Sequence, residues 1–89
     1  MKLTTQEKEW LRSWGHDDDD FPQIEEALDK RKTTYELGGQ TITREQAISL
    51  LGRETYISGI SRSAVHYTAA RCLDDGRSIL FDSSNLFRE

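Results

Sequence analysis

The chain has 89 residues, of which 35% are hydrophobic and 31% charged, and it carries a formal net charge of −4. A fold of this size buries only about 60 to 65% of the surface its unfolded chain exposes, which leaves one modest core and little room for a deep catalytic cleft. Two Trp, three Tyr and three Phe, together with regularly spaced apolar residues, argue against disorder.

Cys72 is the only cysteine, so an intramolecular disulfide and a cysteine-rich zinc site are excluded, and a reducing, cytoplasmic setting is expected. Met1-Lys2-Leu3 runs straight into polar residues and no apolar run approaches spanning length, so neither a signal peptide nor a membrane anchor is expected. Charge is uneven. Residues 1 to 45 hold 7 basic and 11 acidic side chains, whereas residues 46 to 89 hold 5 of each. The densest feature runs from Ser13 to Asp29, where Asp17, Asp18, Asp19, Asp20, Glu25, Glu26 and Asp29 occur without a Lys or Arg among them. Adjacent carboxylates repel and are costly to desolvate, so the run is expected to stay hydrated unless a cation or a basic partner neutralises it.

In chain order, Thr4 with Glu7 makes a capping box, Trp10, Leu11 and Trp14 form a stripe, and Gly15 closes a first helix over about residues 5 to 14. The stripe favours burial of both tryptophans over an exposed anchor. A second helix is predicted to start near Phe21-Pro22, with Asp19 or Asp20 capping its free amides and Phe21, Ile24, Ala27 and Leu28 sharing one face. Thr33 to Ile42 reads as two short strands joined by Gly38-Gly39. Thr43 with Gln46 opens a third helix over about 44 to 51, ending at Gly52, and residues 53 to 61 suggest one further short helix.

Two readings compete from Ser63 to Asp82. A hairpin is supported by the strand-compatible run 64 to 73, the Asp75-Gly76 turn and the apolar return 78 to 81. A two-residue turn there would set Cys72 opposite Ile79 and Ala70 opposite Phe81 on the core side, with Arg71 opposite Leu80 on the other. The alternative is a helix-turn-helix within residues 44 to 70, with Arg53, Arg62 and Arg71 at nucleic-acid phosphates or bases. Segment length, the Asp-Gly turn and the lack of a basic excess favour the hairpin. The whole is therefore expected to be a single small α+β domain, with N-terminal helices, a short hairpin, a central helix or helix pair and a C-terminal hairpin.

The segments Arg-Glu-Gln-Ala-Ile-Ser-Leu-Leu-Gly-Arg-Glu-Thr (44 to 55), Ser-Gly-Ile-Ser-Arg-Ser-Ala (58 to 64) and Phe-Asp-Ser-Ser (81 to 84) resemble short uncharacterised proteins of phages and conjugative elements in Gram-positive bacteria. The resemblance covers about the last half of the chain and implies a bacterial intracellular setting, with no activity attached.

No catalytic, cofactor or metal residue is expected. His66 and Cys72 invite a nucleophile pair, but on one extended strand they stand about 20 Å apart, and a core thiol with a partly exposed sheet histidine accounts for both. His16 with Asp17 to Asp20 lacks the convergence and spacing of a cation loop. Gly38-Gly39 is not followed by the Lys-Ser or Lys-Thr of a phosphate loop. Apart from Lys30-Arg31-Lys32 no basic cluster supports nucleic-acid binding. The expectation is a non-enzymatic binding protein, an accessory or inhibitor of mobile-element type, whose partner surface is Asp17 to Asp20 with Glu25, Glu26 and Asp29 and whose partner is a basic protein.

Overall fold

In the computed structural model, which describes residues 3–29 and 32–87, both capping boxes close as their sequences require. Thr4 and Glu7 exchange side-chain to backbone bonds at the start of α1 (Thr5–Ser13), and Thr43 and Gln46 do so at the start of α3 (Arg44–Leu51). A 3-10 turn (Asp18–Asp20) leads into α2 (Phe21–Ala27), whose Phe21, Ile24 and Ala27 are buried together with Leu28. β1 (Thr34–Leu37) and β2 (Gln40–Ile42) form the hairpin closed by Gly38-Gly39, with Leu37 opposite Gln40.

The fourth helix is longer than its sequence suggests. α4 spans Arg53–His66, 14 residues, so Ser63 to His66 are helical and the C-terminal hairpin begins only at β3 (Thr68–Cys72), paired with β4 (Ser78–Asp82). The interior of α4 is rich in Ser and Gly, which lowers its intrinsic helix propensity, and tertiary packing overrides that. Its small residues let the sheet approach closely. A Cβ added at Gly59 would lie 2.5 Å from the Phe81 ring, so only glycine fits there. Tyr67, at φ +74°, ends the helix and turns the chain into β3.

The two hairpins are not separate. β1 also pairs antiparallel with β4, giving one sheet of order β2-β1-β4-β3 with β2 and β3 at its edges. The helices cover one face. Tyr35, Ile79, Phe81 and Ala69 point into the core against Tyr56, Ile57, Ile60 and Ala64 of α4, while Thr34, Glu36, Leu80 and Ala70 lie on the open face. Tyr35, Tyr56 and Phe81 form an aromatic cluster with ring centroids 5.4 to 6.0 Å apart, and Tyr35 and Tyr56 hydrogen-bond through their hydroxyls at 2.7 Å. The architecture is α+β, as composition and patterning indicate.

Three expectations are corrected. The register of the last hairpin is shifted by one residue, because the turn holds three residues rather than two: Leu73 N–H bonds to Arg77 O across Asp74-Asp75-Gly76, with Gly76 at φ +90°. With β4 held by the core, a one-residue slip exchanges the faces of every side chain on β3. Arg71 therefore points to the helix side opposite Ile79, and Cys72 and Ala70 are exposed, so Cys72 is no core residue. Neither Asp19 nor Asp20 caps α2. Asp20 sits at φ −80°, ψ −20°, in helical rather than extended backbone, so its carboxylate is not placed over the following amides. Finally, the tryptophans divide: Trp10 packs against the core, whereas Trp14 is 39% exposed and stacks on Trp10 at 6.3 Å.

Candidate functional site

The acidic corner is built where α1 turns through the 3-10 segment into α2. Lys8 and Arg12 of α1 lie over the face of Phe21, 5.9 and 5.4 Å from its centroid, which sets their cationic ends beside the aspartates. Arg12 donates to both oxygens of Asp18, with Nε to Oδ1 at 3.0 Å. That bond holds the Asp18 carboxyl below its ordinary value. His16 Nδ1 stands 3.4 Å from Asp20 Oδ2. Glu25 accepts the N–H of Leu3 at 3.0 Å and so ties the chain start to α2.

The seven carboxylates thus do not form one hydrated cluster. Asp18, Asp20 and Glu25 are engaged within the molecule, and Asp29 lies half-buried at the exit of α2, where its carbonyl accepts the N–H of Lys32. Asp17, Asp19 and Glu26 are exposed, and among the described residues no Lys, Arg or His side chain pairs with them. Repulsion along the run is relieved by spreading the side chains around a 3-10 turn and by two local cations. Successive residues of such a turn point in different directions, and among the described residues no three His, Cys, Asp or Glu side chains converge as a metal site would need. Lys30 and Arg31, two of the three residues of the basic cluster, lie outside the described residues.

The arginines of the alternative reading serve different neighbours. Arg53 bonds through Nε to Glu7 Oε2, joining the start of α4 to α1. Glu7 is almost wholly buried; burial raises its carboxyl, but the Arg53 hydrogen bond, the Thr4 N–H and the Arg53 charge together leave it below the ordinary value. Arg62 is exposed on α4. Arg71 donates to Ser58 Oγ and O and to Ala70 O. A helix-turn-helix joins its helices by three or four residues, whereas Gly52 alone separates α3 from α4. Arg53 is thus engaged with α1, whereas Arg62 of α4 and Arg71 of β3 lie on either side of Ser58.

His66 ends α4 and Cys72 ends β3, both exposed and on different elements, so they do not share a strand face. The buried polar groups have structural partners instead. Thr33 Oγ1 donates to the carbonyl of Ala27 and Ser63 Oγ to that of Ile60, and Ser83 Oγ stands between the two hydroxyls at 2.8 and 2.7 Å, with one proton to give to either. A depression of about 280 Å³ beside β2 is lined by Thr34, Thr41, Thr43, Arg44 and Glu45. Sequence reasoning missed the Arg71–Ser58 clamp because the assumed register put Arg71 on the wrong face, and missed Glu7–Arg53 because 46 residues separate the partners.

No helix among the described residues is long and apolar enough to cross a membrane. Comparison with protein-family models, with curated proteins and with solved structures gives no match for this chain.

Proposed function

We propose that the protein is a non-enzymatic binding module whose acidic corner docks on a basic protein surface. The observation that carries this reading is the outward placement of Asp17, Asp19 and Glu26 with no cation paired to them among the described residues, beside the internally paired Asp18 and Asp20. Exposed carboxylates carried on folded backbone need no chain folding to meet a cationic surface, and Coulomb attraction steers the encounter. Trp14, exposed at the end of α1 next to the same turn, supplies an aromatic contact of the kind that anchors interfaces. In its sharpest form the corner occupies a host protein's nucleic-acid site. The resemblance of residues 43 to 84 to small phage and conjugative-element proteins supports an accessory or inhibitor role in a bacterial cell.

The test is capture from a bacterial lysate on immobilised protein at low and at physiological salt, followed by titration of the purified partner. Replacing Asp17 and Asp19 with Asn and Glu26 with Gln should weaken association and flatten its salt dependence. An affinity indifferent to both salt and these substitutions would sink the reading.

A further inference from the structure

β3 is an edge strand, and its hydrogen-bonding side is set by its register. Tyr67 O accepts from Ser83 N and Leu73 N donates to Arg77 O, so the alternate residues 67, 69, 71 and 73 face β4. The backbone groups of Thr68, Ala70 and Cys72 therefore point away from the sheet. α4 runs alongside. Arg71 joins the two: its Nε and Nη2 lie 3.1 and 2.9 Å from Ser58 Oγ, Nη2 lies 3.2 Å from Ser58 O, and Nη1 lies 2.7 Å from Ala70 O. A guanidinium has five N–H groups, so at least one on Nη1 is left unclaimed by these bonds.

Arg62 stands one helical turn after Ser58 on the same stripe of α4, exposed, and close enough that its charge opposes that of Arg71. Elsewhere Arg12 has Asp18, Arg53 has Glu7 and Arg77 has Asp75, while Arg44 donates to the carbonyl of Leu28. Among the described residues, no carboxylate pairs with Arg62 or Arg71. Two arginines with no paired carboxylate among the described residues, in a chain of net charge −4, thus lie beside a row of outward N–H donors.

We propose that the β3 edge and the Ser58–Arg62 stripe of α4 receive an extended acidic peptide segment, which adds a strand to the sheet and sets its carboxylates at Arg62 and Arg71. Strand addition supplies main-chain hydrogen bonds, and the two cations select acidic side chains at alternate positions. A second copy of this chain is the poorer occupant, because two β3 edges meeting would bring two Arg62–Arg71 pairs together. This surface is separate from the acidic corner, and its occupant has the opposite charge.

The probe is a fluorescein-labelled, acetylated decapeptide alternating Glu and Thr, titrated by anisotropy against the full chain, with amide shifts followed by NMR. Saturable binding that moves the amides of Thr68, Ala70 and Cys72 is expected. Arg62→Glu, at an exposed position, should weaken it about tenfold while leaving the unfolding midpoint in place, the loss of one charge-assisted bond. Arg71→Lys, which keeps the charge but not the fork, should weaken it too. Equal binding of a peptide with Pro at alternate positions, of an alternating Lys and Thr peptide, or of a ten-residue thymidine oligonucleotide would overturn the proposal. So would an absence of binding, or concentration-dependent self-association that Arg62→Glu abolishes.

Discussion

The acidic corner and the α4–sheet interface handle polar groups in opposite ways. At the corner, Asp17, Asp19 and Glu26 face water, while Asp18 is paired with Arg12 of α1 and Asp20 stands beside His16. At the interface, Thr33, Ser63 and Ser83 are almost wholly buried and each hydroxyl is hydrogen-bonded, and among the described residues every buried side-chain N or O has a partner. The first region is conspicuous in the sequence and contributes little to the core. The second reads as a bland run of serines and holds the domain together. Charge density marks the water-facing corner, whereas small residues mark where the protein's own layers meet.

Substitutions can break that comparison. Phe81→Ala removes the ring that Gly59, Tyr35 and Tyr56 pack around and should cost about 3 to 5 kcal/mol, measured by urea denaturation. A loss under about 1 kcal/mol would show that the layers are not closely packed there. Gly59→Ala drives a methyl into the same ring; overpacking of this kind costs about 1 to 3 kcal/mol, and it should be partly relieved when Phe81 is also changed to Leu.

Glu7→Gln keeps the shape of the capping box but removes the charge that Arg53 meets, and should cost about 1.5 to 3 kcal/mol near neutral pH. The sign with pH follows from the lowered carboxyl. The stabilisation is complete above the ordinary value of 4.5 and is lost as pH falls through the lower folded value, so wild type and Glu7→Gln should converge in strong acid. Ser83→Ala takes the middle hydroxyl from the buried chain and should cost about 1 to 3 kcal/mol, while Ser84→Ala beside it should be tolerated. At the corner, Asp17→Asn with Asp19→Asn should leave the unfolding midpoint unmoved and alter only association with a basic partner. A large fall in the midpoint would erase the distinction between the two regions.

Local chemistry alone determined α1 and α3 through their capping boxes, the Gly38-Gly39 hairpin, and the apolar face of Phe21, Ile24, Ala27 and Leu28 on α2. In each of these the deciding groups lie within a few residues of one another, so their energies are written in the sequence. Only the tertiary structure decided that α4 continues to His66, that the two hairpins join through β1 and β4, that the turn after Leu73 takes three residues and so turns Arg71 inward, and that Glu7 meets Arg53. Those outcomes depend on surfaces that exist only once distant segments are packed. A serine-rich stretch becomes a helix because Phe81 needs a smooth wall, and β3 takes the register that sets Ala69 against the core and Arg71 beside Ser58 of α4.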